Sequence, residues 1–154
     1  MRWATWGSVR RVTPRYLVFS SSADARLDVA HWDVQAQRFF ATRLDLIGPA
    51  GPGEARIFVT PPRGEPGGER VLSTRPRESA DMVLAEEAEV RAGGGGLVLL
   101  ARRCHAVWLV ARDAEDDRIA LRLAMVLASV VLGPILDARG PELFGVKTAR
   151  AKLG

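Results

Sequence analysis

Cys104 and His105 stand side by side, and a thiolate beside an imidazole is the usual equipment for covalent hydrolysis. In a strand, however, sequence neighbours point to opposite faces, and nucleophile and base normally come together from separate segments. The only other histidine is His31, which leaves Cys104 with a distant His31 as the one remaining thiol–imidazole combination. Buried or structural roles are the expectation for both residues.

Three further motifs have chemical connotations and simpler explanations. "DAEDD" (Asp113 to Asp117) sets acids at the first, third and fifth positions of a calcium loop, yet Arg118 stands where the turn needs glycine. Ala124 stands where a bidentate glutamate is needed. The run therefore reads as a helix start, with Asp113 as the cap and Asp116 three residues on. "GGGG" (Gly93 to Gly96) follows a helical pattern and precedes a strand-like one, the reverse of a phosphate-binding loop, and no Lys-Ser/Thr follows it. "SSS" (Ser20 to Ser22) lacks the Gly-x-Ser-x-Gly turn of a hydrolase. No catalytic residue, metal site or cofactor is expected.

The remaining candidates are cations and aromatics suited to binding. Trp3, Trp6, Arg10 and Arg11, with Arg2 and Arg15, interleave rings and guanidinium groups with no acid among them. Such a segment can stack on bases, lie on an anionic surface, or meet a protein. "VKTARAKLG" adds Lys147, Arg150 and Lys152 at the other end. Arg118 and Arg122 complete the set of expected partner-binding residues.

Composition narrows the class. With 47% apolar and 26% charged residues in 154, the chain has globular averages, which argues against wholesale disorder and against a polytopic membrane protein. The length suits one domain spanning residues 1–154, with residues 1–14 and 146–154 expected as flexible basic termini. The net charge of +4 rests on twenty arginines and two lysines; with abundant Ala, Gly and Pro, that bias reads first as GC-rich coding. A single cysteine excludes an internal disulfide and a multi-cysteine metal site. A bacterial, cytoplasmic setting is the expectation, since the N-terminal stretch has no secretory signal pattern.

The elements that must position these residues follow from pattern and punctuation. Gly48 to Gly53 and Pro61 to Gly68 are too rich in Gly and Pro for helix or central strand. Strands are expected at Arg15–Ser21, Arg26–Val34, Arg38–Ile47 and Ala55–Thr60, joined too closely for anything but an antiparallel meander. Arg77–Ala92 reads as a helix with Val83, Leu84 and Ala88 on its apolar side. Leu97–Ala111 reads as two buried strands reversing near Arg102 and Arg103.

From Asp113 a long helix is expected. At 100° per residue, Glu115, Arg118, Arg122 and Ser129 form one narrow polar stripe, and Ala120, Ala124 and Ala128 lie almost opposite. Ile119, Leu123, Leu127 and Val130 flank the alanines on one side, Leu121, Met125 and Leu132 on the other. A membrane span needs about twenty apolar residues. The charge-free run from Leu123 to Leu136 has fourteen and contains Gly133-Pro134, so no transmembrane segment is expected. Large side chains left in water forfeit about 1.5–3 kcal/mol each against a net stability of roughly 5–15 kcal/mol. Polypeptide must therefore cover nearly all of this helix: a sheet under the alanines, then a second helix or a second copy of the chain.

The expected fold is thus α+β, an antiparallel sheet of meander plus hairpin with helices packed on one face, in the order β-β-β-β-α-β-β-α-(α). That order is similar to small chaperone-type domains of bacterial secretion systems and some adaptor domains. The similarity implies a groove or dimer face offered to another polypeptide. The functional expectation is a non-catalytic protein-interaction module that self-associates as a homodimer or binds a protein partner; the alternative is nucleic-acid or anionic-surface binding through the basic, Trp-containing termini.

Overall fold

A computed structural model describes residues 14–21, 26–51, 53–111 and 117–154. Within them the chain runs β1 (Pro14–Ser20), α1 (Val29–Phe40), β2 (Arg43–Gly51), β3 (Glu54–Thr60), β4 (Gly68–Pro76), α2 (Ser79–Arg91), α3 (Leu97–Arg102), β5 (Ala106–Ala111), α4 (Arg118–Val131), β6 (Ile135–Asp137), β7 (Glu142–Phe144) and α5 (Val146–Leu153). The strands form one antiparallel sheet in the order β2-β3-β4-β5-β1-β6-β7. The α+β class and antiparallel sheet are as expected, and the element order differs.

The sheet is covered on both sides, a layer more than the expected single face. Alternation within β1 shows it. Tyr16 and Val18 join the core under α1, α4 and α5, while Leu17 and Phe19 join the core under α2 and α3. A strand buried on both faces reads as a continuous apolar run, which is how "YLVF" looks. β5 repeats the arrangement, with Trp108 and Val110 on the first side and Val107 on the second. Trp32 of α1 meets Trp108 edge to face, ring centroids 5.2 Å apart and planes at 89°.

Three local expectations are corrected. Arg26–Val34 is not a strand: Val29, Trp32, Ala36 and Phe40 recur at helical spacing and form the buried face of α1, and the Asp28 side chain caps the helix by accepting the His31 backbone N–H. Arg38 to Phe40 complete that helix, so the following strand starts only at Arg43. Leu97–Ala111 is not a hairpin. Its first half is α3, burying Val98 and Ala101, and only its second half is a strand. Glu89 receives the Val98 N–H at the start of α3, and the Arg77 guanidinium donates to the carbonyls of Ala101 and Arg102 at its end. β4 was not anticipated; only Leu72 in it is fully buried, so its alternation is faint. The likeness in element order to secretion chaperones lapses with these corrections.

The expected helix at Arg77–Ala92 is present as α2, opened by a Glu78–Asp81 capping box, although Asp81, Ala85 and Ala88 form its buried side and Val83 is exposed. α4 is capped by Asp117 rather than Asp113; residues 113–116 lie outside the described residues. Every residue from Ala120 to Ala128 is buried. The alanine row is 0–3% exposed within the protein's own core. α1 and α5 pack along α4, supplying the flank cover. Leu132 ends the helix in the left-handed region (φ 57°). Gly133 then lies so close to β1 that a Cβ would collide with the Phe19 carbonyl oxygen. Residues 146–153, grouped with the termini in the sequence, form α5 and bury Ala149 and Leu153. Among the described residues no helix is long and apolar enough to cross a membrane.

Candidate functional site: a cleft floored by an arginine of the long helix

The polar stripe of α4 does not reach open water along its whole length. Arg118, in the first turn, is accessible: its Nη2 donates to the Leu153 carbonyl and lies 3.7 Å from Glu65. Arg122, one turn on, is only 7% exposed. Its Nη1 donates to the Thr42 hydroxyl oxygen at 3.2 Å. That hydroxyl spends its own proton on the Phe40 carbonyl at 2.9 Å, so it offers Arg122 a neutral lone pair and nothing more. No carboxylate of the described residues stands within ion-pairing distance of Arg122, and its Nε and Nη2 have no acceptor among them. Arg122 is not sealed off: it lines accessible space. Burial pushes the guanidinium below its ordinary range; Glu65 opposes the shift and Arg118 adds to it.

That accessible space is a cleft of about 450 Å³ between the end of α1, the loop before β4, α4 and α5. Phe40, Met125 and Leu153 are its apolar wall; Gln37, Arg38, Phe39, Glu65 and Arg150 line it toward solvent. Arg150 is held in place by donating to the Phe39 carbonyl at 3.0 Å and by stacking 4.9 Å from the centre of the Phe40 ring. Three arginine side chains thus face one acidic side chain.

Three other arginines are matched to aspartates. Arg70 forks onto Asp117, with Nε 2.9 Å from Oδ2 and Nη2 2.9 Å from Oδ1. Arg75 spans both oxygens of Asp81 at 2.7 and 2.9 Å. Arg15 lies 3.3 Å from Asp137. A second cavity of about 230 Å³ lies among Arg15, Asp117, Arg118, Asp137 and Lys152, but these charges largely answer one another. A third, of about 360 Å³, is lined by Leu27, Leu72, Thr74 and Trp108 and is mostly apolar.

Of the residues singled out in the sequence, Arg122 lines this site, whereas Arg118 lines the second cavity and reaches the cleft only through Glu65. Trp3, Trp6, Arg10 and Arg11 lie outside the described residues, as does most of the segment on which nucleic-acid binding rested. Cys104 and His31 are kept apart by the sheet: Cys104 is in the core beneath α2 and α3, and His31 is on α1 on the other side. The Cys104 thiol donates to the Leu100 carbonyl at 3.3 Å, and burial pushes its pKa up against a lowering by Arg77. His105 is exposed next to it. Gly93 to Gly96 join α2 to the short α3, with Gly93, Gly94 and Gly96 at positive φ. Thr42, Glu65 and Phe39 were not foreseen as site residues; Arg150 was noted only as a terminal cation. No protein-family model, curated protein or solved structure matches the chain.

Proposed function

We propose that this protein is a non-catalytic interaction module, acting as one domain in a reducing compartment such as the cytoplasm, that receives another polypeptide at the cleft between α1, α4 and α5. The observation that supports it is the composition of the cleft's rim. Phe39 is 52% exposed, and beside it stand the guanidinium groups of Arg38 and Arg150. Exposed aromatics and arginines around a concave, partly apolar floor are the make-up of protein-binding hot spots. The titratable side chains of the cleft are arginines and one glutamate, groups that bind and orient more readily than they exchange protons at neutral pH.

Site-specific photocrosslinking tests the reading. A benzophenone amino acid at Phe39, in cells of the native host, should trap one discrete polypeptide, while the same probe at Val83 on the opposite layer should not. Equal adducts at both positions, or none at Phe39, would contradict it. An adduct of twice the chain's own mass would identify the partner as a second copy.

A further inference from the structure

Every protein that buries a guanidinium without a counter-charge sacrifices stability unless something else supplies the missing charge. Arg122 is such a group. It is more than nine-tenths buried, lines the cleft, is hydrogen-bonded through one nitrogen to a neutral hydroxyl, and has no acceptor for Nε or Nη2 among the described residues. Nε and Nη2 are the two donors on one edge of a guanidinium, the edge that grips a carboxylate through two parallel hydrogen bonds. We infer that the Arg122 cleft is a carboxylate-binding site, and that the group it takes is the side chain of an aspartate or glutamate on the docking polypeptide. This deepens the docking reading and rests on it.

Geometry selects the class of anion. The floor presents a single guanidinium edge with apolar neighbours, Phe40, Met125 and Leu153, on which the methylenes of an acidic side chain can lie. Arg150, fixed by the Phe39 carbonyl and the Phe40 ring, supplies a second cation at the rim. Glu65 sits at the same mouth. It disfavours a doubly charged, fully polar phosphate more than a singly charged carboxylate with an apolar stem. An acidic residue carried on a polypeptide would also bring flanking side chains onto exposed Phe39, which a free small acid would not.

NMR titration of the ¹⁵N-labelled protein tests this. Ac-Ala-Glu-Ala-NH₂ should shift the amides of Ala41, Thr42 and Leu153 saturably, and Ac-Ala-Gln-Ala-NH₂ should not. Arg122→Met should weaken the glutamate peptide about tenfold or more, the loss of a charge-assisted pair. Arg122→Lys, which keeps the charge and loses the flat edge, should weaken it by a similar factor. Three results would overturn the proposal: no saturable shift with the glutamate peptide, equal binding by Arg122→Lys, or tighter binding of inorganic phosphate than of the peptide. Acetate binding as tightly as the peptide would overturn the polypeptide source. A crosslinked partner at Phe39 with a silent Arg122 would leave the docking reading standing and remove the carboxylate site; the reverse would do the opposite.

Discussion

Two turns of the same helix handle a buried charge in opposite ways. At the start of α4, the Asp117 side chain is fully buried, caps the helix through the Ala120 N–H at 2.9 Å, and is gripped by Arg70. One turn later Arg122 is buried almost as deeply with only the Thr42 hydroxyl. The first arrangement returns the desolvation energy of both ions through charge-assisted bonds and a helix cap. The second leaves it unreturned. Within one helix, the difference separates a charge that holds the fold from one that the fold carries for another purpose.

Breaking the satisfied end should have the largest effect. Asp117→Ala removes the cap and leaves Arg70 without its carboxylate. A loss of about 3–5 kcal/mol is expected in urea unfolding, since a buried pair is broken and a helix cap is lost with it. A loss below about 1 kcal/mol would mean that the pair contributes little and that the contrast with Arg122 is false.

Tyr16 shows a third way to bury a titratable group, which is to keep it neutral. It packs edge to face with Phe144, the Arg15 guanidinium lies over its ring, and burial lifts its pKa from 10.0 to about 12. The sign follows from linkage: the phenol's contribution is whole below pH 10, where neither state ionises, and is lost as pH rises through 12, because the unfolded chain gives up its proton first. Stability should fall by about 2–3 kcal/mol across that window, and Tyr16→Phe should remove this part of the slope. A slope unchanged in Tyr16→Phe would assign the alkaline loss to other groups.

The smallest effect belongs to the surface. Lys152 meets Glu142 at 3.0 Å with both side chains well exposed, and Lys152→Ala should alter unfolding by about 0.5 kcal/mol or less. A larger change would show that exposed pairs matter here and would weaken the weight placed on burial.

How much of this was legible in the sequence depends on the range of the interaction that decides each feature. The helical period of α4 and its narrow arginine stripe were readable because they are written within one element. The cover that α4 requires followed from the number of its large side chains. α1 and α3 were misread because Val, Trp and Phe in α1, and Leu and Val in α3, suit strand or helix; packing against opposite faces of the sheet decides between them. The site itself is half legible. Arg118 and Arg122 stand out on the stripe, whereas the Thr42 hydroxyl that receives Arg122 is 80 residues away and Arg150 approaches from another helix. No local pattern announces which buried arginine lacks a carboxylate. That requires knowing where Asp117, Asp81 and Asp137 have gone.

Thermal unfolding of a matched pair of variants tests the contrast most directly. Arg70→Met should lower Tm by roughly 10 °C, because it removes the forked pair that Arg70 makes with the buried Asp117 carboxylate. Arg122→Met, which replaces an uncompensated guanidinium with an apolar chain in an apolar-walled cleft, should leave Tm unchanged or raise it by about 2–4 °C. A fall in Arg122→Met comparable to that in Arg70→Met would show that Arg122 holds the fold, and the account of it as a binding group would be wrong.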